Sequence, residues 1–86
     1  MYFTYVAYYP KKKEYKVGVT LNIIRRKKIL CNLFPECKIV YYEEFETSKE
    51  ATDRENELLD LPKQLIKQLV LENNPDLSDL INLSLE

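Results

Sequence analysis

The run Tyr2–Tyr9, YFTYVAYY, is built from aromatic and β-branched side chains and stops at a proline. Such residues lose rotamer freedom in a helix and pack well on a pleated surface, so the run reads as a strand. Pro10 and the lysines behind it read as a turn, and strand character resumes over Glu14–Thr20. Together the two segments predict an antiparallel hairpin. Gly18, the only glycine in the chain, falls inside the second strand. An isolated strand glycine marks a bulge, or a place where another backbone or a ligand comes close.

The rest of the chain is punctuated by caps and prolines. Thr20 or Asn22 is placed to cap a helix over about residues 21–31, and Pro35 breaks the chain after it. Residues 37–45, CKIVYYEEF, read as a third strand. Thr47 followed by Glu50 forms a capping box for a helix from about 48 to 59. Pro62 fits the first turn of another helix, whose Leu65, Ile66, Leu69 and Val70 form one apolar stripe. Asn73-Asn74-Pro75 ends it, and residues 76–83 are expected to form a last short helix with Leu77, Leu80 and Ile81 facing inward. The order is β-β-α-β-α-α, an α+β fold in which helices flank a three-stranded antiparallel sheet. With 86 residues and no repeat or linker, residues 1–86 are one domain.

Hydrophobic residues make up 45% and charged residues 31%, a globular rather than disordered balance. No apolar run approaches the roughly 20 residues needed to cross a bilayer, and the N-terminus lacks the features of a signal peptide. The expected location is the cytoplasm, of a bacterial cell or of a host cell if the chain is viral. Cys31 and Cys37 show no metal-site spacing, and no histidine accompanies them; buried or half-buried free thiols are expected. Without histidine, any acid–base catalyst must be Tyr, Lys, Glu, Asp or Cys. The net charge of −1 hides an asymmetry. Residues 1–42 hold nine Lys/Arg and two Glu, whereas residues 43–86 hold four Lys/Arg and twelve Asp/Glu. Lys11-Lys12-Lys13 and Arg25-Arg26-Lys27-Lys28 are the basic clusters, each suited to phosphate or simply to solvent. An acidic protein binds nucleic acid poorly overall, so such contact is confined to one face.

Three polar residues stand where apolar ones belong. Glu55 lies between Ala51 and Leu58-Leu59 on the inner stripe of its helix. A carboxylate there costs several kcal/mol unless it meets a cation or strong donors, so a structural ion pair, a place at the rim and a bound metal all remain open. Arg26 falls between Ile29 and Leu30 and three residues from Ile23, with Lys27 also near that arc. It either holds a phosphate in a bidentate grip or pairs with Glu55. Tyr5 shares a strand face with Phe3, Ala7 and Tyr9, where a core tyrosine is the default.

Jointly these spacings resemble the GIY-YIG endonuclease domain, and the resemblance covers nearly the whole chain. Phe3-Thr4-Tyr5 stands at the first tripeptide and Lys16-Val17-Gly18 at the second; Arg26 follows Gly18 by eight positions. Val40-Tyr41-Tyr42-Glu43-Glu44-Phe45, then Glu50-Ala51, Arg54-Glu55, Asn74-Pro75 and Asp79-Leu80, are similar to the small stand-alone bacterial and viral members. The resemblance implies a nuclease site on one sheet face, cutting DNA by hydrolysis. Tyr5 would activate the attacking water, Arg26 would hold the scissile phosphate, and Glu55 would anchor one Mg²⁺ or Mn²⁺. Lys11, Lys12, Lys13, Arg25, Lys27, Lys28 and Asn74 are then expected to face nucleic acid. A homodimer is one way to cut both strands.

The chain departs from the family pattern at three positions. Phe3 replaces the first glycine, Lys16 the second tyrosine, and Leu30 a histidine that many members carry. An ammonium at Lys16 is expected to lower the Tyr5 pKa or to bind the phosphate, and so to join the catalytic set. Two readings stay open: a metal-dependent DNA endonuclease, and a catalytically silent module of the same fold that binds nucleic acid or a protein, such as a viral or mobile-element inhibitory factor.

Overall fold

The computed structural model describes residues 1–81 and turns the opening alternation into a hairpin. Strands β1 (Tyr2–Tyr9) and β2 (Glu14–Thr20) pair antiparallel, with Tyr5 opposite Gly18 and Ala7 opposite Lys16. The turn closes through Lys12 N–H donating to the Tyr9 carbonyl (3.1 Å), and Lys13 takes a positive φ of 54°. Helix α1 (Ile23–Leu33) follows, and β3 (Lys38–Phe45) then pairs antiparallel with the other side of β1. The sheet order is therefore β2-β1-β3. Helices α2 (Ser48–Leu59) and α3 (Lys63–Asn73) complete the α+β architecture expected from the sequence.

Period-two alternation gives the sheet two apolar faces, each with its own core. On one face Tyr5, Ala7 and Ile39 pack with Ile23 and Leu30 of α1 and with Cys37. On the other, Val6 and Val40 pack with Leu58 of α2 and with Ile66 and Val70 of α3. Thr4 ties the second layer down: its buried hydroxyl donates to the Ala51 carbonyl at 2.7 Å. A register shift in β1–β3 between Val6 and Ala7 sends the neighbours Val40 and Tyr41 into the same core, which strict alternation would forbid.

The helix caps follow the sequence closely. Asn22 Oδ1 accepts the Arg25 N–H (3.0 Å), and Thr20 Oγ1 accepts the N–H of Asn22 (3.2 Å), so both candidate caps take part. Thr47 Oγ1 accepts the Glu50 N–H at 3.2 Å and donates to the Glu50 carboxylate at 3.0 Å. The expected terminal helix is different: residues 76–81 are not helical, and residues 82–83 lie outside the described residues. Side chains capture the backbone there instead. Asn74 accepts the Ser78 N–H, and Asp79 accepts the N–H groups of Ile39 and Ile81. Leu80, expected inside, is exposed; its N–H donates to the Ile39 carbonyl at 2.9 Å. Leu59 and Leu65, also assigned inward, are exposed as well.

Candidate functional site

The register that sets Tyr5 opposite Gly18 creates the site. Gly18 is neither bulged nor at positive φ. What approaches it is the Tyr5 ring: a Cβ at position 18 would stand 2.5 Å from the Tyr5 hydroxyl oxygen and 2.6 Å from Cζ. The missing side chain lets the phenol lie across β2, the edge strand, with its body buried. We expect Gly18→Ala to cost about 1–3 kcal/mol by overpacking and to displace the phenol, read as a lower denaturation midpoint at unchanged m-value. An unchanged midpoint would mean that the ring moves freely.

Burial and neighbouring ionisable side chains act on that hydroxyl. Burial raises the Tyr5 pKa above its ordinary 10.0, and the charges of Cys37 and Glu55 raise it further. The charge of the Arg26 guanidinium opposes this. Net, the phenol keeps its proton more firmly than a free tyrosine. Arg26 is half-buried on α1, beside the buried stripe of Ile23, Lys27 and Leu30. Glu55 is half-buried on α2, between the fully buried Ala51 and Leu58. Among the described residues the two do not form an ion pair with each other, nor does either pair elsewhere. Opposite charges thus flank one tyrosine without neutralising each other.

That leaves the Glu55 carboxylate fit to hold a hard cation. Among the described residues no group of three or more His, Cys, Asp or Glu is placed to hold a metal, so Glu55 is the ligand that the sequence reading supplies. Mg²⁺ binds in this sparse fashion, through one or two carboxylates and several waters.

The other expected residues divide. Lys16 does not serve Tyr5: its ammonium lies 5.7 Å from the centroid of the Tyr9 ring. The effect expected of Lys16 on the phenol comes from Arg26 instead: Lys16 stands opposite Ala7, two register pairs further along the hairpin. Lys11, Lys12 and Lys13 are exposed in the hairpin turn, and Lys12 lies over the Phe34 ring at 5.8 Å. Arg25 and Lys28 are exposed on the outer side of α1. Lys27 and Asn74 are corrections. Lys27 is 3% exposed; its ammonium donates to the Cys37 carbonyl (2.7 Å) and is ion-paired with Asp79. Asn74, also buried, donates to the carbonyls of Val40 (3.0 Å) and Ser78 (2.8 Å). Both side chains are spent inside the fold, so neither faces nucleic acid.

Asp79 is the residue whose role the sequence did not single out. Its carboxylate joins the C-terminal segment to α1 and β3 at once. Cys31 and Cys37 are free thiols, half-buried and buried as expected, and burial pushes the Cys37 thiol up. No helix among the described residues is long and apolar enough to cross a membrane. Comparison with known proteins returns no significant match to a family model, a curated protein or a solved structure.

Proposed function

We infer that this chain is a metal-dependent endonuclease of the GIY-YIG type that hydrolyses DNA phosphodiester bonds. The observation that supports the reading is that the Tyr5 phenol, laid across Gly18, feels the charges of both Arg26 and Glu55, which form no ion pair among the described residues.

In this reading Arg26 holds two phosphate oxygens and offsets the charge that grows on them as the phosphorus becomes five-coordinate. Tyr5 presents its phenol oxygen to the attacking water, orients it and takes its proton when ionised. Glu55 holds one Mg²⁺ or Mn²⁺, which when bound supplies Lewis-acid stabilisation to the departing oxygen. DNA is the partner, and the cytoplasm is the compartment we propose.

The test is incubation of the protein with labelled single- and double-stranded DNA in Mg²⁺ or Mn²⁺, with an EDTA control. Cutting that EDTA stops supports the reading, and DNA left intact under every metal overturns it in favour of the silent module. The pH profile gives a sharper check on Tyr5. A base with a pKa above 10.0 is ionised in a fraction that grows tenfold per pH unit below that value. The cutting rate is therefore expected to climb through pH 7–9 without a plateau, and Tyr5→Phe to abolish the climb. A plateau near neutrality would assign the proton to another group.

A further inference from the structure

A groove of about 460 Å³ runs between β2 and the junction of α2 with α3. Five consecutive residues line one wall: Lys13, Glu14, Tyr15, Lys16 and Val17. Side chains of a strand alternate between faces, so a consecutive run lines one groove only where that groove follows the strand's open edge. β2 is such an edge, and the groove lies on the α2–α3 side of the sheet, opposite the face that holds Tyr5.

Its chemistry is cationic above and apolar below. Lys13 shares this lining with Lys63 and Lys67 of α3, and Glu14 is the one carboxylate in it. Among the described residues none of these three lysines has a carboxylate partner. Leu58, Leu61, Ile66 and Val17 supply the floor. We propose that this groove binds single-stranded DNA. A volume of this order suits small ligands and is too small for a double helix to enter. A single strand fits both halves of the chemistry, with phosphates on the lysines and unpaired bases laid against the apolar floor. It also gives Lys13 a role that the Tyr5 hydroxyl does not. The inference stands apart from the cutting reading, since the groove lies on the other face of the sheet.

The experiment separates the two. Protein carrying Glu55→Ala is titrated in EDTA against a fluorescein-labelled 12-nucleotide oligothymidine and a blunt DNA hairpin, followed by anisotropy. The single strand should bind at least tenfold more tightly than the duplex. Adding Lys13→Glu, Lys63→Glu and Lys67→Glu should weaken that binding tenfold or more, with a log–log salt slope shallower by about 2. The milder set Lys13→Gln, Lys63→Gln and Lys67→Gln should fall between, and circular dichroism melting should show every variant folded. Equal or tighter duplex binding overturns the proposal, as does single-strand binding that neither set of substitutions weakens. Displacement of the oligonucleotide by 12-residue polyglutamate at equal charge overturns it in favour of an acidic-peptide site. If the groove behaves as expected while the parent protein cuts nothing in Mg²⁺ or Mn²⁺, the nuclease reading falls and the groove stands. If the parent cuts but the lysine substitutions change neither binding nor cutting, only the groove falls.

Discussion

Glu55→Ala is expected to remove metal-dependent cutting, by roughly 10²–10³-fold or more, in a protein that unfolds where the parent does. The second half of that expectation is what distinguishes a site from a strut. A structural ion pair loses several kcal/mol when one partner is removed, because the other charge is left buried alone. Glu55 has no such partner among the described residues, and it stands between two fully buried apolar side chains. Its removal therefore strands no cation and relieves a partly desolvated carboxylate, so stability should be unchanged within about 0.5 kcal/mol or slightly raised. Arg26→Ala should lower cutting to a similar degree. Arg26→Lys should not restore it, since a point charge cannot reproduce a bidentate grip. Chemical denaturation beside a cutting assay reads both quantities. Retained cutting together with a stability loss above about 1 kcal/mol would make Glu55 a structural residue and sink the assignment.

The parts of this fold that were legible in sequence are those set by near neighbours. The hairpin follows from alternation and a proline, and the helix starts follow from Asn22 and Thr47, whose side chains reach only three residues. The trio was legible as misplaced polarity: Glu55 interrupts an apolar stripe, and Arg26 borders one. What resisted reading was set by pairing across the chain. Gly18 signalled a close approach, but only the β1–β2 register shows that the approaching group is Tyr5. Lys16 looked catalytic because it stands where the family pattern has its second tyrosine; the register pairs it with Ala7, and its ammonium lies over the Tyr9 ring. In Arg25-Arg26-Lys27-Lys28 four like charges look equivalent. Lys27 alone sits between Ile23 and Leu30 on the buried stripe, a signal visible in the helical spacing but without meaning until Asp79, far along the chain, supplied its partner.

That pair is the second large effect. Asp79→Asn is expected to lower the unfolding free energy by about 3 kcal/mol, the low end for breaking a buried pair, because water reaches Asp79 at 30% exposure. The substitution keeps an acceptor oxygen for the N–H groups of Ile39 and Ile81, so the loss reports the stranded Lys27 ammonium rather than the backbone bonds. Lys27→Met should be far milder, within about 1 kcal/mol. It gives up a hydrogen bond to the Cys37 carbonyl but replaces a buried charge with an apolar chain of similar length. Combining the two should therefore recover most of what Asp79→Asn loses, an ordering that a simple sum of damages does not produce. In a domain of this size the single Asp79→Asn loss should lower Tm by more than about 10 °C. Lys27→Met should leave oligonucleotide binding at the parent level, because the ammonium it removes never faces solvent. A marked fall in DNA binding on Lys27→Met, or an Asp79→Asn protein as stable as its parent, would return Lys27 to the nucleic-acid face and reject the pair as the tie that holds the C-terminal segment to α1.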